Sequence, residues 1–222
     1  MLREAKGNMY DFVTHTWNAI KGKCSHDCSY CYMKEFGKLN PIRLDNKELN
    51  TDLGSGNYIF VGSSTDMFAD DVPEEWIIKV LDYCKKFDNT YLFQTKNVNR
   101  IILEFIEKLP KDVVIATTIE TNRIYKEMGN TDTPIGRALG ISWCKINGYK
   151  TMITIEPILD FDVKEFSDMI ITCNPDYLNI GADSKEHNLP EPSKEKLLEF
   201  IKILNDAGIK IHNKKNLARL LE

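Results

Sequence analysis

Several things are scarce in this sequence. No apolar run approaches the roughly 20 residues that cross a bilayer, and the opening stretch MLREAKGNMY lacks the apolar segment of a secretory signal. The expectation is a cytoplasmic protein with no membrane partner. Neither sign of charge dominates: 29 Lys and Arg against 33 Asp and Glu give a formal charge of −4. That excludes a basic coat over the whole surface and leaves room for a local basic groove. The positive tail around Lys210, Lys214, Lys215 and Arg219 reads as a solvated helix face. Internal repeats are absent, which excludes solenoids and propellers. Cysteine is too sparse and too uneven for a disulfide framework, because three of the six fall between Cys24 and Cys31.

What is present is enough for one buried core. A chain of 222 residues with 42% hydrophobic content fits a single domain over 1–222. Apolar, β-branched runs at 14–20, 58–62, 91–95, 113–119, 151–155, 177–180 and 209–212 predict strands. Their near-continuous apolar character suits a parallel sheet covered by helices. Amphipathic patterns at 73–87, 98–109, 135–146, 163–171 and 193–207 predict those helices, with Pro110 and Gly208 as stop signals. Alternation of strand and helix implies right-handed crossovers and an α/β fold. A complete eight-unit barrel takes about 250 residues, so six units and a short seventh strand predict a partial (β/α)6 TIM-type barrel with its helices outside. A doubly wound sheet is the alternative. The stretch 37–57 reads as a polar connector.

The segment Cys24-Ser25-His26-Asp27-Cys28-Ser29-Tyr30-Cys31 carries the most specific signal. Thiolates hold iron–sulfur cubes, which need four ligands. Three close cysteines leave one iron open, as catalytic metal sites do. The motif follows the first predicted strand, at the barrel mouth where active sites are built. A three-cysteine zinc site completed by His26 or His15 is the competing reading. Cys84 and Cys144 lie on apolar helix faces as core residues, and Cys173 precedes Asn174-Pro175 at the opposite end of its unit. Asp66, Asp70 and Asp183 follow strands, where they either meet a cationic or donor-bearing substrate or simply solvate loops. Arg123 opens the loop 122–134, read as a lid or a plain surface excursion.

The C-x3-C-x2-C spacing with Tyr30 before the third cysteine resembles the radical S-adenosylmethionine (SAM) superfamily. Thr16-Trp17-Asn18, the run from Phe60 to Phe68, Gln94-Thr95-Lys96, Thr118-Ile119-Glu120 and Ile155-Glu156-Pro157 extend the likeness. Together they resemble the phage Gp37/Gp68-like (DUF5131) family and the spore photoproduct lyase-like group. The resemblance implies that Cys24, Cys28 and Cys31 are the catalytic residues and metal ligands of a [4Fe–4S] cluster. It implies SAM as cofactor, met by Tyr30, Gly62, Ser63, Ser64, Thr65, Lys96, Thr118, Glu120, Glu156 and Gly181. In this picture Lys96 pairs the SAM carboxylate, Tyr30 packs near the adenine and Gly181 allows it close approach. Reductive cleavage of SAM to a 5′-deoxyadenosyl radical would then abstract hydrogen from a nucleobase- or nucleic-acid-related substrate, for modification or repair. Asp66, Asp70, Asp183 and Arg123 are its candidate contacts. The partners implied are an external electron donor such as flavodoxin or ferredoxin, and a nucleic acid, with the protein a monomer. Two other functions stand beside this one: a radical isomerase or mutase on an amino acid or modified nucleoside, and a non-enzymatic metal-binding or electron-carrier module.

Overall fold

Strand order in the main sheet follows chain order without reversal. The computed structural model describes residues 1–6, 9–185 and 187–222. Its strands are β1 (Arg3–Glu4), β2 (His15–Trp17), β3 (Ile20–Lys21), β4 (Arg43–Leu44), β5 (Tyr58–Val61), β6 (Thr90–Gln94), β7 (Val113–Thr118), β8 (Lys150–Ile155), β9 (Tyr177–Ile180) and β10 (Ile211–Asn213). Eight of them form one sheet in the order β1-β2-β5-β6-β7-β8-β9-β10. The edge pair β1–β2 is antiparallel, and every later pair in that sheet is parallel. A doubly wound sheet must reverse its order at a switch point. Right-handed crossovers that never reverse put all helices on one face and curl the sheet toward a barrel. The fold is therefore the predicted partial barrel.

The helices are α1 (Glu74–Cys84), α2 (Val98–Arg100), α3 (Pro134–Ile146), α4 (Val163–Cys173), α5 (Lys194–Asp206) and α6 (Ala218–Leu221). Side chains alternate across each strand with period two. Ile59, Val61, Tyr91, Phe93, Ile115, Ile153, Ile155, Leu178 and Ile180 face the helices, in a core with Ile77, Leu81, Phe105, Ile141, Phe166 and Phe200. Phe60, Leu92, Val114, Ala116 and Met152 face the concave side and pack on Tyr10 and Val13. The segment around 9–13 thus plugs the bottom of the barrel. Next in register along the concave face, Gln94, Thr118 and Thr154 are polar, and they line the cavity above the plug.

Two local features differ from expectation, and the connection after β2 takes a form of its own. The first predicted strand ends at Trp17, and Ile20–Lys21 leaves the sheet to pair antiparallel with β4. Gly22 turns the chain there at φ +121°, a conformation open to glycine. No α-helix follows β2; the cysteine loop, a short 3-10 turn at Tyr32–Phe36 and the β3–β4 pair take its place. The predicted helix at 98–109 is α-helical only at its start, then π-helical over Ile101–Phe105 and 3-10 over Ile106–Lys108. Cys84, Cys144 and Cys173 are buried. Among the described residues no helix is long and apolar enough to cross a membrane.

Helices α4 and α5 meet through aromatic rings: Phe166 stacks on Phe200 at 4.9 Å, and Phe161 lies 4.8 Å from Phe200. All three are fully buried. Phe200→Ala is expected to lower unfolding free energy by about 3–5 kcal/mol, measured by urea denaturation; a loss under about 1 kcal/mol contradicts this packing.

Candidate active site

One cavity of about 860 Å³ opens at the C-terminal ends of the parallel strands. Cys24, Cys28 and Cys31 all line it, with Tyr30 between them. Gly62, Ser63, Ser64, Thr65 and Asp66 line it from the turn after β5, Lys96 and Thr118 from the ends of β6 and β7, and Glu156 and Asp183 from loops after β8 and β9. Thirteen of the seventeen predicted site residues are thereby gathered on one wall system. Glu120 stands buried behind that wall, hydrogen-bonded to two lining residues, Tyr30 and Lys96.

The cysteine loop is braced from three directions. From the β5 side, Thr65 Oγ1 donates to the carbonyl of Gly22 (3.0 Å), and Tyr32 OH donates to the carbonyl of Ser63 (2.7 Å). Asn18 fixes that turn in place by accepting from the Ser64 N–H at 2.9 Å. In the middle, His26 Nε2 meets Asp66 Oδ2 at 2.9 Å. From the far side, Ser29 N–H donates to the carbonyl of Glu127 (2.8 Å) and Asn130 N–H to that of His26 (2.7 Å). The loop 122–134 is thus a buttress docked on the cysteines, in place of the lid considered above. Gly129, at φ +66°, is what lets it approach: an added Cβ there stands 2.0 Å from the His26 carbonyl oxygen.

Buried charge lies next to the cysteines. Lys96 Nζ is 2.7 Å from Glu120 Oε1, 2.6 Å from Tyr30 OH and 3.4 Å from Cys28 Sγ. Arg137 Nη1 is 2.9 Å from Glu120 Oε2, and both side chains are fully buried. Burial works to raise the Glu120 pKa, yet Lys96 and Arg137 hold its carboxyl down at about 2. Burial also opposes the Lys96 charge, and Glu120 outweighs it, so the ammonium titrates above its ordinary value. Burial, reinforced by Asp66, pushes the Cys24 thiol up to about 12.

These thiols fit a metal cluster. A thiol raised by burial becomes a thiolate when a metal supplies positive charge. Among the described residues, no three His, Cys, Asp or Glu side chains converge on a single ion. A cube makes no such demand, because each cysteine sits on a different iron. The zinc reading loses its fourth ligand: His26 spends one ring nitrogen on Asp66 and the other on the Asn130 carbonyl. His15 Nδ1 is paired with Thr14 Oγ1 on β2.

The substrate candidates need correction. Asp66 spends its carboxylate on His26, Thr95 Oγ1 and the backbone N–H groups of Lys96 and Phe68. Asp183 lines the cavity but accepts from His187 Nδ1 at 2.7 Å and from the N–H groups of Lys185 and His187. Asp70 lies outside, in a smaller polar pocket, accepting from Asn97 at 2.7 Å. Arg123 also lies outside the lining and is bound to Asp160 and Asp162, tying its loop to the start of α4. Each is held by partners from the protein's own loops: the aspartates accept from nearby donors, and Arg123 donates to nearby carboxylates. Gly181 is not exposed to the cavity either; a Cβ on it would stand 2.9 Å from the side chains of Glu156 and Asn216. Glu156 itself pairs with Lys214 (2.9 Å) and Asn216 (2.7 Å).

Sequence reasoning gave Arg137, Asn18 and Tyr10 no role of their own in the site, and it read Lys214 as part of a solvated helix face, whereas Lys214 is buried, lies outside any helix and lines the cavity. A charged residue on the buried stripe of α3 was the readable signal for Arg137. Tyr10 and Lys214 both line the cavity, with Lys214 Nζ 4.8 Å from the centre of the Tyr10 ring. Nothing in local pattern links two residues so far apart in the chain.

A family model described as a protein of unknown function, DUF5131, matches residues 8–133. No curated protein matches the sequence. Among solved structures, a cysteine-to-serine mutant of spore photoproduct lyase is similar with a TM-score of 0.63 at 13% identity, over 95% of this chain and 79% of that one. Spore photoproduct lyase complexed with dinucleoside spore photoproduct gives 0.60 at 12% identity, over 93% and 78%. A mutant with bound AdoMet and dinucleoside spore photoproduct gives 0.56 at 14%, over 90% and 63%. The likeness is one of fold.

Two outcomes follow from the site's geometry. Gly129→Ala is expected to cost at least about 1 kcal/mol and to speed alkylation of the cysteine-loop thiols; unchanged denaturation and alkylation would contradict the buttress. Glu120, depressed in the folded state, contributes stability that is present above the unfolded carboxyl value of 4.5 and lost as pH falls toward 2. The gap between wild type and Glu120→Gln in denaturant, on the order of 3 kcal/mol at pH 7, should shrink through that window. A gap independent of pH between 7 and 3 refutes the assignment.

Proposed function

The chain belongs to the DUF5131 family, and from that premise, with the cysteine-lined cavity, we propose that it is a radical SAM enzyme built as one core domain. The observation that carries this is the trio Cys24, Cys28 and Cys31, opening together on one cavity at the strand ends. These three would hold a [4Fe–4S] cluster with one iron left for SAM. When bound, that cluster supplies the electron that cleaves SAM to methionine and a 5′-deoxyadenosyl radical.

The chain's own residues provide the setting. Ser63, Ser64 and Thr65 line the cavity from the turn after β5 with their hydroxyl protons held by Asn18 and the Gly22 carbonyl, and Thr118 adds a hydroxyl from β7. They are the group expected to meet SAM, with Tyr30 and Glu156. Met9, Met33 and Leu39 give the lining an apolar share that excludes water. Lys23, Lys34, Lys38 and Lys185 line the same cavity beside Tyr32, with Lys23 and Lys34 sharing Asp27 and Lys185 paired with Glu35. In a chain whose net charge is −4, this local mix of cations and an aromatic suits phosphates and stacked bases. A nucleobase- or nucleic-acid-related substrate is the reading it supports, with the electron coming from an external flavodoxin or ferredoxin.

Anaerobic reconstitution is expected to load about four irons per chain, and SAM with dithionite should then give 5′-deoxyadenosine and methionine. Cys24→Ala, Cys28→Ala and Cys31→Ala should each abolish this. A wild-type protein that binds zinc tightly, takes up no iron and never yields 5′-deoxyadenosine overturns the proposal.

A further inference from the structure

Lys96 occupies an unusual position: a largely buried cation on the cavity wall whose donors are all committed. An ammonium has three N–H groups, and here they face Glu120 Oε1, Tyr30 OH and Cys28 Sγ. Its backbone is fixed as well, since its N–H donates to Asp66 Oδ2 at 2.9 Å. Glu120 is in turn held by Arg137, with neither side chain reached by solvent. Within this triad Lys96 and Arg137 stand against Glu120, and the Lys96 ammonium is the member that reaches the Cys28 sulfur, at 3.4 Å, while the nearby Asp66 carboxylate is paired with His26. Poor screening in a buried site makes the ammonium charge felt strongly.

We propose that Lys96 sets the reduction potential of this site, its ammonium donating to the Cys28 thiolate and stabilising the negative charge a bound cluster gains on reduction. Hydrogen bonds to ligand sulfurs and local net charge are among the factors that fix cluster potentials. The one-electron step balances simply: a reduced flavin, ferredoxin or dithionite gives an electron, and the cluster's charge becomes more negative by one. The cation opposes that charge, so reduction becomes easier. Lys96 acts here as a positioning residue on a ligand, and Glu120 with Arg137 keeps it aimed. This role differs from clamping the SAM carboxylate, for which the ammonium would have to release one of its three present partners.

The inference rests on the cluster reading, and the test separates the two. Wild type, Lys96→Met and Lys96→Arg are reconstituted, their iron and sulfide counted, and their clusters titrated against redox mediators without SAM, followed by electron paramagnetic resonance. A wild type that takes up no cluster overturns the cluster reading itself. With clusters loaded, Lys96→Met should shift the reduced-to-oxidised ratio about tenfold toward oxidised at fixed ambient potential, about 59 mV for one electron. Lys96→Arg, which keeps the charge, should stay near wild type. If Lys96→Met fails to fold or load, Lys96→Gln is titrated in its place and should still fall below wild type. A loaded neutral variant with an unchanged midpoint overturns the inference. Weakened SAM binding with that unchanged midpoint would make Lys96 a carboxylate clamp instead.

Discussion

A carboxylate sealed from water organises the working end of this molecule. Glu120 is fully buried at the end of β7, between Lys96 from the end of β6 and Arg137 from α3. Removing a charge from water costs several kcal/mol per ion, and only close partners offset it. The arrangement is therefore all or nothing: each of the three needs the other two. Tyr30 donates to the same carboxylate, so the cysteine loop is drawn into the bargain. Two strand ends, one helix and the loop are thereby set relative to one another by charge, where apolar packing alone tolerates many arrangements.

The cysteine loop takes the place of a helix, and that substitution has a structural cost. A helix satisfies its own backbone; an irregular loop must find partners elsewhere. Here they come from the turn after β5 and from residues 127–130, about a hundred positions away in the chain. The loop is ordered by its neighbours before any metal is considered. Side chains already held in place lose little entropy when they bind a ligand.

Much of the fold was legible, because β7 and its neighbours are largely buried on both faces and read as near-continuous apolar, β-branched runs. The cysteine motif was legible for a different reason: its spacing is local. What stayed hidden depends on pairings across the chain. Nothing near Asp66 says that His26, forty positions earlier, will take its carboxylate. Arg123 looked like a substrate contact, and it is instead the tie between its loop and Asp160 and Asp162. Gly181 was read as room for a ligand, but the space beside it belongs to Glu156 and Asn216. In each case residue type was read correctly and partner was not. The early end of the first strand at Trp17 belongs to the same class, since the next residue, Asn18, binds a turn forty-six residues on.

The concave face of the sheet shows how one strand serves both stability and the site. Side chains there recur every second residue, so a single step of two positions passes from core to cavity. Leu92 is followed by Gln94, Ala116 by Thr118 and Met152 by Thr154. Tyr10 marks the boundary: its ring packs with Phe60 in the plug, while its hydroxyl donates to Gln94, which in turn donates to Thr118. Burial drives the Tyr10 hydroxyl well above its ordinary pKa, so it stays a neutral donor there. Phe12, wedged against Tyr58 and Tyr177, anchors the plug from below. Cavity depth is thus set by where the segment 9–13 stops. A plug of aromatic residues below and braced cysteines above leave a chamber whose floor sheds water while its walls keep hydrogen-bonding groups.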